Sequence, residues 1–456
     1  MKRILLLALC LVALLCAGCT NRLTSQYRMP VLDYPVGWNR VQTNEDPAPF
    51  DWKAFNDPRL ENWLHKVLAN NDDVGLAVLR VYRAKLEAER IGVVSSPGLT
   101  ATLSVNGTKN LDGATELEKR SSSSLSTLYE LDLWGKIARQ KDAALWATQA
   151  TEADLRAARL TLLSEASKNY WRIGLISQQI SSLQQSITYA KETLRLATAR
   201  YNAGAASLLD VVDARQSLLS QQNRFTGLQN ELSTTLNQKA VLTGTAPDSN
   251  EVVPKNLPQG DLPQIRNNIP ASVLMNRPDV AAREWRVREA LATVDVRRAE
   301  YYPAVNLTGS LGGSSSSLLS FLQNPVGVTG ATLTLPFLEW RQRGLDVKIA
   351  RNDYEQRLIE FKQLLYIAMS SIEDALSQHS QLLAQQSMLR EGLVLARQSE
   401  RINEVRYRQG AVRISFWLDA QEKRRQTELL LDENRFNQLQ NLAKIYLEFG
   451  GSPDFP

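Results

Sequence analysis

The side chains able to do chemistry are few and unusually placed. Asp210 and Asp213 follow the pair Gly204-Ala205, and Asp419 follows Gly410-Ala411, each within about two to three helical turns. Repeated around a symmetry axis, each carboxylate would form a cation-selecting ring held by an arginine or a tyrosine, and Arg406 and Tyr407 are the nearest such groups. An acid at a helix start also favours the positive dipole end, which accounts for Asp210 better than for Asp213 or Asp419. Glu130 and Asp132, two apart on one strand, mimic a catalytic carboxylate pair, but no histidine, metal ligand or sugar-stacking platform stands near them in sequence. Tyr170 and Trp171 read as packing residues. The two histidines, His65 and His379, are far apart, and Cys10, Cys16 and Cys19 all fall before residue 20. That leaves the mature chain no Cys/His zinc site, iron–sulfur site, disulfide framework or Cys–His nucleophile. No G-x-x-x-x-G-K-[ST], G-x-S-x-G or H-E-x-x-H motif occurs, and Gly309 to Gly313 read as strand and loop. The sequence predicts no enzyme, no metal and no cofactor.

The amino terminus carries the one modifiable thiol. Lys2 and Arg3 precede an apolar run, Ile4 to Ala17, of signal-peptide length and too short to span a bilayer as a helix. The run ends Leu15-Cys16-Ala17-Gly18-Cys19. Small residues at 17 and 18 before a cysteine resemble the bacterial lipobox, with Cys16 standing where Leu is usual. A signal peptide over 1–18 is expected, with Cys19 lipidated as the first mature residue. Thr20, where inner-membrane lipoproteins carry Asp, points to the outer membrane.

The elements that position these groups come in two copies. A shift of 206 residues superimposes Asp73-Val74 on Asp279-Val280, Pro97 on Pro303, and Trp134 on Trp340. It also superimposes Arg200-Tyr201 on Arg406-Tyr407, Asp213-Ala214 on Asp419-Ala420, and Gly244 on Gly450. The organisation is a signal peptide (1–18), an anchored N-terminal segment (19–56), a first repeat (57–246), a Pro-rich linker (247–267), a second repeat (268–450) and a tail (451–456). No proline interrupts 98–246 or 337–452, so long helices are permitted there.

Each repeat reads as helix, strand, loop, strand, long helix, turn, helix. Leu99, Ala101, Leu103 and Val105 alternate with Thr100, Thr102, Ser104 and Asn106, and Val305 to Gly312 repeat the pattern. Leu125 to Leu131 and Ala331 to Phe337 form the second strands. One face is apolar and the other is Ser/Thr/Asn/Gly. This suits either a half-buried soluble sheet or membrane-barrel strands around a wet lumen. Lys136 to Tyr201 and Gln342 to Tyr407 are helical tracts of about 100 Å each, followed by helices over 207–243 and 413–449. Rods of that length must pack on other rods. The mean hydropathy of −0.27 argues against a bundle of membrane helices. The net charge of +5 is too mild to argue for nucleic acid.

Six motifs in order resemble the TolC/OprM-like outer-membrane efflux family, in its lipoprotein branch. They are Asn56-Asp57-Pro58-Arg59-Leu60, Tyr129 to Lys136, Asn276-Arg277-Pro278-Asp279-Val280, and Tyr301 to Thr308. Leu335-Pro336-Phe337 with Arg341-Gln342-Arg343, and Arg406 to Ala411 with Leu418 to Gln421, complete the set. Glu339-Trp340 departs from the Gly-rich sequence usual after the fourth strand, and Phe416 replaces an acid found in some members. The resemblance implies a mainly α chain whose trimer forms a twelve-stranded β-barrel, four strands from each copy. A long periplasmic α-helical barrel would continue it, with a mixed α/β equatorial region. It implies an outer-membrane exit duct for small molecules, fed by a periplasmic adaptor and an inner-membrane pump of the RND type. Tyr407, Asp419, Asp210 and Asp213 would then line the periplasmic aperture, and Gly204, Ala205, Gly410 and Ala411 would meet the adaptor. The rival readings are a type I protein secretion duct and a structural coiled-coil envelope lipoprotein.

The anchor is directly testable. Mass spectrometry of the mature N-terminus should find an acylated glyceryl adduct on Cys19; a free thiol there contradicts the assignment. Cys19→Ala should reduce outer-membrane recovery without abolishing it, because strands also hold the membrane.

Overall fold

The structure is a computed structural model that describes residues 23–30, 52–109, 118–247, 253–263, 265, 271–315 and 325–451. The signal segment, Cys19 and parts of the two hairpin loops and of the linker lie outside the described residues. Element order follows the duplication. The first set is α1 (Pro58–Asn70), α2 (Asp72–Val94), β1 (Gly98–Thr108), β2 (Glu118–Leu131), α3 (Lys136–Asn202) and α4 (Leu208–Leu242). The second is α5 (Pro278–Ala299), β3 (Ala304–Ser315), β4 (Val326–Thr334), α6 (Trp340–Arg408) and α7 (Ile414–Glu448). The chain divides into two compact units: residues 1–32, 79–153 and 279–364, and residues 33–78, 154–278 and 365–456. Both repeats contribute to each unit.

The first unit is built on one antiparallel sheet in the order β1-β2-β3-β4. Its central pairing, β2 with β3, joins the two repeats, with Leu125 opposite Leu311 and Tyr129 opposite Leu307. The alternation read from sequence is realised: Leu99, Leu103, Leu125, Leu307, Leu311 and Leu333 share one face. That face is bare, with Leu99 and Leu103 74% and 65% exposed. No element of the chain lies over it among the described residues. The opposite face is mostly Ser, Thr and Asn, interrupted by Arg120, Leu128, Glu130, Val326 and Val328.

Two strand assignments are corrected. β4 ends at Thr334, so Leu335 and Phe337 lie beyond it, and Pro336 opens a short 3-10 turn over Pro336–Glu339. Proline cannot donate to a ladder and resets the backbone there. Asp132 likewise lies past β2. Its carboxylate accepts from the backbone N–H groups of Ile137 and Ala138 at 3.0 and 2.8 Å, capping α3, while Glu130 pairs with Lys136. The apparent carboxylate pair is therefore a strand-to-helix joint. Beside it, Trp134 Nε1 donates to the Pro303 carbonyl at 2.8 Å.

The same unit holds the N-terminal residues 23–30 against α5. Asp295, 1% exposed, accepts from the Ser25 backbone and hydroxyl at 2.7 and 2.6 Å. The Arg288 guanidinium lies over Tyr27 and over Trp285, which stacks on Trp146 at 5.1 Å between centroids.

The second unit carries the main apolar core. Trp52, Phe55, Leu60, Leu64, Trp171 and Leu439 are buried together, and Trp63 Nε1 donates to the Ala166 carbonyl at 2.9 Å. The opening motif works as a helix start: Asp57 accepts from Arg59 and Leu60 N–H groups, and Pro58 occupies the first turn. Gly174, the one glycine of α3, lies where the linker crosses, and a Cβ there would come 2.9 Å from the Asn256 carbonyl oxygen. In the Arg-Pro-Asp motif, Arg277 pairs with Glu448, which also accepts from the Ser371 hydroxyl at 2.7 Å. Gly450 packs against the same segment with φ +67°, and a Cβ there would sit 2.5 Å from the Asn276 carbonyl oxygen. Gly450→Ala should therefore cost on the order of 1–3 kcal/mol, read as a lowered melting temperature. A variant as stable as the parent would show that this close approach is not structural.

Candidate functional site

The candidate residues gather at the two helical turns of the second unit. α3 and α6 end in the same motif. The Ala205 N–H reaches the Arg200 carbonyl at 2.8 Å, and the Ala411 N–H reaches the Arg406 carbonyl at 2.9 Å. Gly204 and Gly410 take φ of +74° and +79°, the left-handed C′ position of a Schellman turn. The next helices start differently: the Ser207 hydroxyl accepts from the Asp210 N–H at 3.3 Å, whereas Arg413 gives α7 no side-chain cap.

Between the turns lies a small core of Ala197, Ala214, Tyr407, Ile414 and Trp417. Tyr407 is 2% exposed, with its ring 5.5 Å from that of Trp417 and the Arg200 guanidinium 4.9 Å above it. Arg200 Nη1 also donates to the Tyr407 and Arg408 carbonyls at 2.7 and 3.1 Å. One side chain of the first repeat thus satisfies the exposed carbonyl end of the second repeat's long helix, with a cation at its negative pole. The Tyr407 hydroxyl is pushed above its ordinary pKa by burial and by the Asp210 charge, against the pull of Arg200. It has no hydrogen-bond partner among the described residues.

The expected aperture residues fall in different settings. Asp210 is buried beside Tyr407, Asp213 is half-buried, and Asp419 is exposed, making no hydrogen bond or ion pair among the described residues. Tyr407 stands with Asp210, Arg200 and Trp417 rather than as a free partner for Asp419. Arg406 is exposed to solvent. Gly204, Ala205, Gly410 and Ala411 are all exposed, and nothing lies within 4 Å of a Cβ built on Gly204.

Sequence reasoning missed Arg200 and Trp417 as the centre of the turn core. The signal for Arg200 was the Arg-Tyr pair recurring at the repeat offset, read only as a landmark. Missed too was the ionic ladder leading away from the turns. Glu422 receives Arg425 at 2.6 Å and Arg224 at 2.9 Å, and burial, which alone would raise its pKa, is outweighed so that it lies below the usual range. Farther along, Arg424 pairs with Glu400 and Glu428, and Arg397 meets Glu428 at 3.0 Å. Burial and the charges of Glu404 and Glu400 push Tyr189 up to about 12. Among the described residues no cluster of His, Cys, Asp and Glu could hold a metal ion, and no helix is long and apolar enough to cross a membrane.

Comparison with known proteins gives these features a context. The family model described as outer membrane efflux protein matches residues 63–245 and again 269–451. The pyoverdine export outer membrane protein OpmQ of Pseudomonas aeruginosa is 28% identical over 466 residues, covering 99% of this chain and 97% of its own. The cation efflux system protein CusC of Escherichia coli is 24% identical, with 96% and 97% covered. Among solved structures, the CmeC outer membrane channel of Campylobacter jejuni aligns with a TM-score of 0.84 at 21% identity, covering 94% of this chain and 95% of that one. CusC aligns at 0.83 and 22% identity, covering 94% and 99%.

The turn core makes its own prediction. Arg200→Ala removes two charge-assisted hydrogen bonds, worth about 1.5–3 kcal/mol each at most. Amide exchange over residues 406–412 should accelerate by about tenfold or more. Arg200→Lys should restore only part, because an ammonium lacks the planar fork. Unchanged exchange in Arg200→Ala would show that Arg200 does not hold the turn.

Proposed function

The chain belongs to the outer membrane efflux protein family, and on that premise we propose that three copies form the exit duct of a tripartite export system. The observation that carries this reading is the four-stranded sheet with a bare apolar face and two edges that stay unpaired among the described residues. A closed membrane barrel needs at least about eight strands, and three copies supply twelve. The apolar face meets lipid and the Ser/Thr/Asn face lines a wet lumen. The long helices of the three copies pack into a helical barrel, which gives such rods the neighbours they need.

The duct is passive. The sequence carries no nucleotide-binding motif, so the energy comes from an inner-membrane pump, of the RND type, coupled through a periplasmic adaptor. Small molecules pass by diffusion along the polar lumen. Acylated Cys19 adds a lipid anchor in the outer membrane. The turns at Gly204 and Gly410 present small residues that an adaptor's helical hairpin can approach closely, and Asp419 places three carboxylates at the aperture.

Single-channel recording in planar bilayers tests the reading. The protein should give a cation-preferring conductance. Asp419→Ala should raise conductance, lower cation preference and let bulky antibiotics leak into cells; if all three stay unchanged, the aperture lies elsewhere. Gly410→Trp should abolish export while leaving the assembly intact, and retained export would remove the adaptor from that turn.

A further inference from the structure

The second unit holds a polar cleft between α3, α6 and α7 that the duct reading does not use. Its volume is about 350 Å³, and it is lined by Glu165 and Lys168 of α3, Gln378 of α6, and Asn437, Asn441 and Lys444 of α7. Spacing explains the gathering. Residues 165 and 168 are three apart on one helix, and 437, 441 and 444 follow at four and three on another, so each set shares a helix face. The duplication shows what sets the place apart. In the first repeat the equivalent joint is closed: Asn169 Nδ2 donates to the Thr235 carbonyl at 3.1 Å, Arg172 pairs with Glu231, and the Arg172 guanidinium lies 5.5 Å from the Phe436 ring centroid. The repeat offset takes Arg172 and Glu231 to Gln378 and Asn437, both neutral and shorter, and takes Gln238 to Lys444. The second repeat has therefore lost an ion pair here and gained an ammonium group.

The charged groups of the cleft are without partners. Glu165, Lys168 and Lys444 make no hydrogen bond or ion pair among the described residues. Glu165 and Lys168 stand at a spacing where acid–base pairs form along a helix, and elsewhere in this chain such pairs do form, Glu192 with Arg195 and Glu422 with Arg425. Beneath them Asn441 is 2% exposed. Its Nδ2 donates to the Ala375 carbonyl at 3.0 Å and to Gln378 Oε1 at 3.2 Å. A backbone carbonyl only accepts, so the amide orientation is fixed. Asn441 Oδ1 is then a buried acceptor with no donor among the described residues, an arrangement that costs free energy until a donor arrives. The cleft thus offers two cations, on different walls, and two acceptors, the Glu165 carboxylate and Asn441 Oδ1.

We propose that this cleft binds a small acidic amino acid. Lys168 and Lys444 each hold one carboxylate through charge-assisted hydrogen bonds, and Glu165 and Asn441 Oδ1 receive the ammonium group. The charges then balance: two lysines and one glutamate face a ligand with two carboxylates and one ammonium. A dicarboxylate without the amino group would leave Asn441 Oδ1 without a donor and set its own charge against Glu165. An amino acid with a neutral side chain would leave one lysine uncompensated. The volume lies at the small end of the range for ligand pockets, about 300–1,000 Å³, which suits a solute of this size. All the residues belong to one copy, so the site depends neither on assembly nor on the export reading.

Equilibrium dialysis of radiolabelled glutamate against the full-length protein, purified in detergent at low salt, tests the site. Binding should be saturable. Glutarate, which lacks the amino group, and glutamine, which lacks the second carboxylate, should each compete about tenfold or more weakly. Lys444→Gln installs the residue that the first repeat carries at that place and should weaken glutamate by about tenfold or more. Glu165→Gln should weaken glutamate and strengthen glutarate, because it removes an acceptor and a repelling charge together. Gln378→Arg with Asn437→Glu rebuilds the first repeat's ion pair across the cleft and should abolish binding at an unchanged melting temperature. If that double variant unfolds, the two single variants decide. The proposal is overturned if the parent shows no saturable binding, or if glutarate binds as tightly as glutamate. It is overturned equally if Lys444→Gln and Glu165→Gln both leave glutamate binding unchanged, since the amino acid then sits elsewhere.

Discussion

The outer edges of β1 and β4 carry backbone N–H and C=O groups that no strand among the described residues reaches, on a sheet whose apolar face is bare. In hydrocarbon each unsatisfied group costs several kcal/mol, and in water an open apolar edge invites uncontrolled pairing. Only closure removes both penalties, and four strands cannot close. The duplication provides the means: one pairing, β2 with β3, already joins the first repeat to the second, and the same geometry is available between β4 and β1 of another copy. The joint at Asp132 and Trp134 passes the chain from ladder to helix without leaving the start of α3 uncapped.

The helical unit meets the same constraint in another form. Helices of 67 and 69 residues are too long to lie against one globular core and leave large apolar side chains such as Leu145, Ile359, Ile367 and Leu395 exposed. Where the first repeat meets the second, the tip is closed by Arg200, Tyr407 and Trp417 and the ladder around Glu422. On the free side, equivalent residues stay exposed. The aromatic core under Trp52 and Trp171 holds α1, α3 and α7 together, and Arg277 with Glu448 ties the second repeat's first segment to its last helix.

Much of this was legible because periodicity and punctuation are local. The proline-free tracts gave the long helices to within two residues, and the Gly-Ala pairs located both turns. Strand alternation gave the faces, but not what covers the apolar one. The misreadings have physical causes. Pro336 ended β4 early although Leu335 and Phe337 continued the alternation, and Asp132 kept strand spacing while serving as a helix cap. Arg200 was invisible as a keystone because its carbonyl acceptors lie more than 200 residues away. The candidate carboxylates separated for a similar reason: burial of Asp210 beside Tyr407, and exposure of Asp419, depend on which repeat covers which.

The central claim is that the sheet closes only by assembly. Native mass spectrometry of the detergent-extracted protein, paired with circular dichroism of the same sample, tests it most directly. The account predicts a complex of three chains carrying the full β signal. A stable single chain with that signal intact would contradict it.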